Sequence, residues 1–408
     1  MSPHSYPKEK IRILLLEGIH PAAVRVFEEN GYSVEQSSDA MLEAELIEKI
    51  KDVHLLGIRS KTQVTANILQ SADKLLATAC FCIGTNQVDL KAAAIKGIPV
   101  FNAPYSNTRS VAELTIANII MLARRAAHKS QLLHAGKWDK SAKQSYEVRQ
   151  KSLGIIGYGH IGPQVGLLAE AFGMTVSYFD IEKKLPLGNS QVHGSLKSLL
   201  SSCDFVTLHV PETEQTRGMI GSEEIKLMKA GSYLINLSRG SIVDLDALKN
   251  GIESGKLAGA AVDVFPEEPS SNEETFKSIL QGLPNVILTP HIGGATQEAQ
   301  ENIGIESASA LVDFTDNGST GGAVNFPQLT PPSSGDYHRV LNIHKNVPGV
   351  LSQINNIISE TGANINAQFL NTFGEIGYLI MDVDKSVSRE IKDRIDTVEA
   401  VIRTRLLF

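Results

Sequence analysis

The stretch Leu153-Gly-Ile-Ile-Gly157-Tyr-Gly159-His160-Ile161-Gly162 decides the fold of the middle of this chain. A short apolar run ends in glycines with the spacing G-x-G-x-x-G. Residues 163–172 can continue as a helix, and a second apolar run, 174–179, ends in Asp180. A strand, a glycine turn, a helix and a second strand that ends in an acidic residue form the pattern of a dinucleotide-binding unit.

Each residue of this motif has its own physical role. Gly157 allows the tight turn, Gly159 lets a pyrophosphate approach the backbone, and Gly162 lets the helix pack close to the strand. The helix N-terminus offers free N–H groups to the phosphates. Because the Asp180 carboxylate accepts hydrogen bonds from a ribose diol and repels a 2′-phosphate, we predict NAD rather than NADP.

Composition narrows the class of protein. The chain has 408 residues, 42% of them hydrophobic and 20% charged, with a net charge of −7. This charge gives no basic field for nucleic acid or an anionic membrane, and no apolar run approaches the roughly 20 residues of a membrane helix. Residues 1–10 contain no signal-peptide core, and three cysteines without metal-ligand spacing fit a reducing cytoplasm and predict no metal.

Strands alternate with helices along most of the chain, which predicts an α/β fold with two Rossmann-like, doubly wound parallel sheets. The turn-rich segment 102–110 and a helix over 111–128 are interpreted as the hinge and crossing into the second domain. Residues 318–335 are rich in Gly, Ser, Thr and Pro, and we interpret them as a linker. The last section, 339–408, has the order βαββαβ of a ferredoxin-like fold.

Three polar residues follow predicted strands of the second sheet, namely Arg239, Glu268 and His291. Ligands of open α/β sheets bind outside the carboxyl ends of the strands, so these side chains should share one crevice. Imidazole can take a hydroxyl proton near neutral pH, a neighbouring carboxylate favours the imidazolium, and arginine binds an oxo acid with two hydrogen bonds. The alternatives are a structural histidine, a solvated Glu pair and a surface arginine.

Four stretches resemble the signatures of the D-2-hydroxyacid dehydrogenases in order and spacing. They are Gly-Tyr-Gly-His-Ile-Gly (157–162), Asn-Leu-Ser-Arg-Gly (236–240), Asp-Val-Phe-Pro-Glu-Glu-Pro (263–269) and Thr-Pro-His-Ile-Gly-Gly (289–294). Residues 80–89, 101–113 and 316–320 resemble the members that act on 3-phosphoglycerate, and the last section resembles an ACT regulatory domain. The resemblance covers essentially the whole chain from Ile11.

The resemblance implies a role for particular residues. The implied catalytic residues are Arg239, Glu268 and His291, with His291 as the acid/base. The implied NAD contacts are Gly157, Gly159, His160, Ile161, Gly162, Asp180, Leu237, Ser238, Arg239, Asp263, His291, Ile292, Gly293 and Gly294. The implied substrate contacts are Arg59, Ser60 and Asn107, and the implied contacts to an L-serine effector are His344, Asn346 and Asn364.

The resemblance also implies a domain plan and an assembly. The substrate-binding domain is expected to be discontinuous (1–106 and 295–330), with an NAD-binding domain at 107–294 and the ACT domain at 336–408. Relatives tend to be homotetramers in which a tryptophan reaches across subunits, which Trp138 matches. One departure is Ser38-Asp39, where relatives can place a lysine. This leaves the substrate phosphate to Arg59, Lys61 or Lys140.

The implied activity is NAD-dependent oxidation of 3-phosphoglycerate to 3-phosphooxypyruvate, the first step of phosphorylated L-serine biosynthesis, with feedback inhibition by L-serine. The alternative within the enzyme class is a dehydrogenase for another 2-hydroxy acid, such as 2-hydroxyglutarate, or a reductase for 2-oxoglutarate. The alternative from another class is an NAD-sensing corepressor scaffold. Measurable NADH formation would exclude the scaffold, and turnover on the two substrates would separate the enzymes.

Overall fold

The computed structural model describes residues 6–269 and 273–408. Residues 1–5 of the predicted substrate-binding domain and 270–272 of the predicted NAD-binding domain lie outside the described residues. The chain divides into two compact units. The first unit runs to Ser106 and resumes over Gln300–Phe408, and the second unit is Asn107–Ala299.

The N-terminal part of the first unit is a parallel sheet with the strand order β2-β1-β3-β4-β5 among the described residues. Its elements are β1 (Ile13–Leu15), α1 (Pro21–Glu29), β2 (Val34–Gln36), α2 (Glu43–Ile50), β3 (Leu55–Ile58), α3 (Ala66–Gln70), β4 (Ala77–Cys80), α4 (Leu90–Ile95) and β5 (Val100–Asn102). Every residue of β1, β3 and β4 is buried, as expected for parallel strands covered on both faces.

The second unit contains a seven-stranded parallel sheet. Its elements are α5 (Thr108–Arg124), α6 (Ala126–His134), β6 (Ser152–Ile156), α7 (Ile161–Ala171), β7 (Thr175–Phe179), β8 (Gln191–Val192), α8 (Leu196–Ser202), β9 (Phe205–Leu208), α9 (Ser222–Leu227), β10 (Ser232–Asn236), α10 (Leu245–Glu253), β11 (Leu257–Val262) and β12 (Val286–Leu288). The strand order is β12-β11-β10-β9-β6-β7-β8. The order therefore reverses between β6 and β9, and such a switch point is where doubly wound folds bind dinucleotides.

The predicted crossing helix is two helices rather than one. Helix α5 ends at Arg124 because Arg125 has the left-handed φ of 54°, and α6 begins at Ala126. Arg125 also donates from Nη1 to the side chain of Gln144. A single helix over 111–128 was therefore wrong, because the left-handed Arg125 ends the hydrogen-bond ladder of α5.

The chain returns to the first unit along α11 (Gln297–Asn317) and ends in an antiparallel sheet with the order β14-β15-β13-β16. The elements of this C-terminal section are β13 (His338–Lys345), α12 (Val350–Glu360), β14 (Ile365–Phe373), β15 (Ile376–Val383), α13 (Ser388–Ile395) and β16 (Val401–Leu407). This is the predicted βαββαβ order. One face of the sheet packs on α12 and α13, as Val340 and Met381 show, and Leu341 and Tyr378 of the other face join the core of the N-terminal sheet.

Most of the predicted linker is packed into the first unit. Phe326 and Ala323 belong to its core, and the side chain of Asn325 accepts from the N–H of Val100 at 2.8 Å and donates to the carbonyl of Ile98. A composition rich in Gly, Ser, Thr and Pro indicates irregular backbone, but here that backbone is held by tertiary hydrogen bonds.

Candidate active site

His291 and Glu268 form the central pair of the candidate site. Nδ1 of His291 lies 2.8 Å from Oε2 of Glu268. This hydrogen bond raises the pKa of His291 against the opposing effect of burial. Burial tends to raise the pKa of Glu268, but its hydrogen bonds from His291 and from the N–H of Phe265 hold that pKa below its ordinary value. The pair therefore favours an imidazolium beside a carboxylate.

Arg239 completes the predicted catalytic set. It follows β10, and its positive charge lowers the pKa values of both Glu268 and His291. Its Nη1 donates to the carbonyl of Ser238 at 2.7 Å. The structure thus brings together the three residues that the sequence placed after three different strands.

Asn236, at the end of β10, orders the loop that carries Arg239. Its Oδ1 accepts from the N–H and the hydroxyl of Ser238, and its Nδ2 donates to the carbonyl of Arg239 at 3.0 Å. Leu237 lies within this loop and is buried. Sequence reasoning missed this role of Asn236, although its place in the stretch 236–240 was a signal.

Asp263 orders the loop that carries His291. One carboxylate oxygen accepts from Thr289 and from the N–H of Ile292 at 2.9 Å, and the other accepts from the N–H of Gly293 at 2.8 Å. The carbonyl of Asp263 accepts from the N–H of His291, whose φ of 54° is left-handed. Asp263 was predicted as a cofactor contact, and its carboxylate holds the backbone that presents His291.

The glycine loop has the geometry that a dinucleotide needs. Gly157 has a φ of +91°, and a Cβ there would overlap the carbonyl of His209. A Cβ at Gly162 would lie 2.5 Å from the carbonyl oxygen of Gly157, whereas a Cβ at Gly159 meets nothing within 4 Å. The space is therefore open at the one glycine where a pyrophosphate must approach, and His160 and Ile161 begin helix α7 beside it.

Asp180 follows β7, as predicted. Its Oδ2 accepts from the N–H of Tyr158 in the glycine loop at 2.7 Å, and its Oδ1 accepts from the N–H of Glu182 at 2.9 Å. Each carboxylate oxygen has further lone pairs for a ribose diol. Asp180 thus has a second task that the sequence did not indicate, since it ties the glycine loop to the end of the neighbouring strand.

His209 is a further polar residue at this switch point that sequence reasoning missed. Burial lowers its pKa to about 3, so the ring is neutral. Nε2 lies 3.0 Å from the hydroxyl of Thr207, and Nδ1 is buried without a hydrogen-bond partner among the described residues. An orphaned ring nitrogen beside the glycine loop fits a site that is completed by a polar ligand.

The predicted substrate residues are divided between the two units. Arg59 and Ser60 follow β3 in the first unit. Asn107 is the N-cap residue of α5 in the second unit, where a Cβ at Gly294 would lie 2.6 Å from its amide nitrogen. Oδ1 of Asn107 is buried without a hydrogen-bond partner in the described part of the chain, which leaves an acceptor for a substrate hydroxyl or a water.

The predicted effector residues lie at opposite ends of the C-terminal sheet: His344 and Asn346 are next to the turn between β14 and β15, and Asn364 is next to Asp384, which follows β15. His344 is 3% exposed, burial lowers its pKa, and Nδ1 lies 2.9 Å from Oδ1 of Asn342. Asn346 donates weakly to the carbonyl of Gly374 at 3.3 Å, and Asn364 is exposed beside β14. Burial therefore favours the neutral form of the His344 ring, whereas the side chains of Asn346 and Asn364 are exposed.

A cavity of about 370 Å³ with a mixed apolar and polar lining adjoins the Glu268–His291 pair within the second unit. Phe265, Phe276 and Leu288 line its walls together with both members of the pair. In the described ranges no group of three metal-binding side chains occurs, and no described helix is long and apolar enough to cross a membrane.

Comparison with known proteins agrees with this geometry. The family model of the D-isomer specific 2-hydroxyacid dehydrogenase NAD-binding domain matches residues 116–293, and that of the AHAS small subunit-like ACT domain matches 341–403. The chain is 55% identical to D-3-phosphoglycerate dehydrogenase of Dictyostelium discoideum over 99% of both chains. It is 50% identical to the enzyme of that name from Escherichia coli K12 over the whole length of both chains.

Among solved structures, the fold resembles D-lactate dehydrogenase of Aquifex aeolicus in complex with NAD and lactic acid. The TM-score is 0.66 at 28% identity, and the match covers 79% of this chain and all of the other. The chain therefore belongs to the D-isomer specific 2-hydroxyacid dehydrogenase family and, within it, to the D-3-phosphoglycerate dehydrogenases. It is an NAD-dependent oxidoreductase with a C-terminal ACT domain.

Proposed function

We propose that this chain oxidises 3-phosphoglycerate to 3-phosphooxypyruvate with NAD, as the first step of phosphorylated L-serine biosynthesis, and that L-serine inhibits it. The observation that carries the proposal is the 2.8 Å contact between His291 and Glu268 in an NAD-binding family whose full-length relatives, 50–55% identical, act on phosphoglycerate. The first unit, without its ACT section, is the proposed substrate-binding domain, and the second is the NAD-binding domain.

In the proposed reaction His291 is the general base. Because Nδ1 is bound to Glu268, Nε2 is the ring nitrogen that takes the proton of the substrate hydroxyl. Glu268 stabilises the imidazolium that forms. Arg239 binds the carboxylate and the developing carbonyl of the oxo acid. Bound NAD would supply the acceptor for the hydride that leaves the hydroxyl-bearing carbon.

The proposed cofactor contacts all lie in the second unit and fall at the adenosine and nicotinamide ends of NAD. Gly157, Gly159, His160, Ile161 and Gly162 would hold the pyrophosphate, and Asp180 the adenosine ribose. The loops with Leu237, Ser238 and Arg239 and with His291, Ile292, Gly293 and Gly294, together with Asp263, would line the nicotinamide end. Arg59, Ser60 and Asn107 are the proposed substrate contacts, and Arg59, Lys61 and Lys140 are candidates to neutralise the phosphate.

L-Serine is the proposed effector, bound between two copies of the chain by His344 and Asn346 of one copy and Asn364 of the other, because Asn364 lies at the opposite end of the sheet in its own chain. Strand β14 is an edge of the C-terminal sheet, so a second copy of the chain can pair there and share the site. We propose a homotetramer in the cytoplasm, with Trp138, which is 80% exposed, reaching a neighbouring subunit. Light scattering measures the assembly, and a monomer would contradict it.

The deciding experiment measures NADH formation from 3-phosphoglycerate and NAD, with and without L-serine. A second assay measures NADH consumption with 2-oxoglutarate. NADH formation with 3-phosphoglycerate supports the proposal, and activity on 2-oxoglutarate alone would contradict it. Asn346→Ala and Asn364→Ala should each weaken serine inhibition without changing basal turnover. Asn355→Ala, an exposed position on α12, is the matched control and should remain inhibited.

A further inference from the structure

A buried carboxylate organises the segment that contains the proposed substrate residues. Glu17 lies two residues after β1 and is 8% exposed. Its carboxylate accepts hydrogen bonds from the N–H groups of Arg59 at 3.2 Å, Lys61 at 2.9 Å and Thr62 at 2.8 Å. Three backbone donors from a four-residue segment thus converge on one side chain.

The backbone of Glu17 is held in an unusual conformation. Its φ of 65° is left-handed, a region that glycine adopts freely and a glutamate does not. Its N–H donates to the carbonyl of Asp39 at 3.2 Å, and its own carbonyl accepts from Nη1 of Arg59 at 3.4 Å. A non-glycine residue persists in such a conformation when its surroundings over-determine it, which is frequent at functional sites.

A second buried side chain, that of Gln87, binds the same segment through the backbone carbonyl of Arg59. Nε2 of Gln87 donates to the carbonyl of Arg59 at 2.6 Å and to the carbonyl of Gly84 at 3.2 Å. The N–H of Arg59 is therefore bound by Glu17 and its carbonyl by Gln87.

We propose that Glu17 is a positioning residue for substrate binding, which orders residues 59–62 so that the substrate anion is received by the guanidinium of Arg59 and by Ser60. This inference rests on the proposed function, in which Arg59 and Ser60 bind the substrate. Because Glu17 accepts from the N–H groups of 59, 61 and 62, those three donors are not available to a phosphate or carboxylate. The N–H of Ser60 lies outside this set.

Two substitutions separate the effect of the Glu17 carboxylate from the effect of its backbone conformation. Glu17→Gln keeps one acceptor oxygen but turns an NH₂ group toward a backbone N–H. Glu17→Gly removes the side chain and is compatible with the left-handed φ. The matched control is Glu43→Gln in the same unit. Among the described residues, the Glu43 carboxylate accepts hydrogen bonds from the side chains of Thr65 and Asn67 rather than from backbone N–H groups.

The measurements are KM and kcat for 3-phosphoglycerate, the Kd of NADH by fluorescence and the thermal midpoint. We expect KM to rise about tenfold in Glu17→Gln and up to about 100-fold in Glu17→Gly, since small displacements of positioning groups have effects of this size. The Kd of NADH should stay unchanged, because its proposed contacts lie in the second unit. Glu43→Gln should match the unsubstituted protein in every measurement.

The outcomes separate this inference from the proposed function. If the unsubstituted protein does not turn over 3-phosphoglycerate, the proposed function fails. If it does, and both Glu17 variants keep its KM, the positioning role is wrong. A parallel loss of NADH affinity and substrate affinity would also overturn it, because that result indicates general unfolding. Glu17→Gln, which conserves shape, keeps the test decisive if Glu17→Gly does not fold.

Discussion

Nδ1 of His291 and Oε2 of Glu268 lie 2.8 Å apart, and this contact changes the pKa of both groups. The pKa of His291 is raised from 6.5, so the stabilisation by its charged form is complete below 6.5 and is lost as pH rises through the raised value. The pKa of Glu268 is lowered from 4.5, so its contribution is present above 4.5 and is lost as pH falls through the lowered value. The ion pair is therefore intact between the lowered pKa of Glu268 and the raised pKa of His291.

This pair sets the expected pH dependence of the reaction. Oxidation needs a neutral imidazole, so its rate should rise with pH along a limb centred above 6.5. Glu268→Gln should move that limb to lower pH, because the imidazolium loses its anionic partner. His291→Ala should lower kcat by about 10²- to 10⁴-fold while NADH still binds. A limb unmoved by Glu268→Gln would contradict the coupling.

Gly159 should matter for cofactor binding and little for folding. A Cβ at this position meets no atom of the protein within 4 Å, so Gly159→Ala should leave the thermal midpoint unchanged. The same methyl group would occupy the proposed path of the pyrophosphate, so the affinity for NADH should fall sharply. Gly194→Ala, which also meets nothing within 4 Å, is the control and should bind NADH normally. Fluorescence titration of both variants with NADH tests the assignment.

Gly240 should control the position of Glu268. A Cβ at Gly240 would overlap the carbonyl of Phe265 and lie 2.5 Å from the nitrogen of Pro266. The N–H of Phe265 donates to Glu268 at 3.0 Å, so Gly240→Ala should displace the backbone that holds this carboxylate. We expect kcat to fall about 100-fold, with the pH limb shifted toward the ordinary pKa of histidine.

The control for this variant is Gly221→Ala in the same unit. The nearest atom to a Cβ at Gly221 lies 3.5 Å away, which is an ordinary contact distance. This variant should keep both kcat and the pH limb. A Gly240→Ala protein with normal kcat would show that the loop accommodates the methyl group without moving Glu268.

Breaking the buried ion pair between Arg339 and Asp382 should destabilise the ACT section strongly. Arg339 is 1% exposed, contacts Asp382 through Nε at 2.7 Å and Nη2 at 2.9 Å, and donates to the carbonyl of Pro332. Asp382→Ala leaves a buried guanidinium without its partner, which typically costs about 3–5 kcal/mol. The midpoint of urea unfolding should therefore fall clearly.

Two comparisons complete this test. The double substitution of Arg339→Met with Asp382→Leu should recover much of the loss, because no charge then remains buried. Asp336→Ala removes an exposed partner of Lys385 and should change the midpoint little. If Asp336→Ala destabilises the protein as much as Asp382→Ala does, burial is not the cause.

Removing residues 336–408 should destabilise the first unit. Leu341, Tyr378 and Ile380 of the C-terminal sheet share a core with Phe314 and Phe326. Each large apolar side chain that loses its cover costs roughly 1.5–3 kcal/mol, so the truncated protein should unfold at a lower temperature. Circular dichroism would measure this, and an unchanged midpoint would show that the shared core contributes little. Regulation is therefore better tested with Asn346→Ala than by truncation.

Local patterns explain why much of the fold was predictable. These patterns are the glycine spacing, the acidic residue after β7 and the alternation of strands and helices, and each can be read from residues close together in the sequence. The predicted α/β class and NAD-binding family are confirmed. The helix break at Arg125 was missed because residues 121–130 contain no glycine or proline that would signal it. The packing of Phe326 was missed because irregular composition gives no signal of burial.

The sequence by itself determined which chemical groups are available: the glycines for a phosphate, the carboxylate of Asp180 for a ribose, and an imidazole and a guanidinium at strand ends. The strand ends also predicted that Glu268 and His291 share a crevice, and the structure shows their contact across 23 residues. Only the tertiary structure showed that Glu17 reaches the segment 59–62 across more than 40 residues. The physical reason is that side-chain periodicity is local, whereas a hydrogen bond between distant residues depends on how whole strands and loops pack.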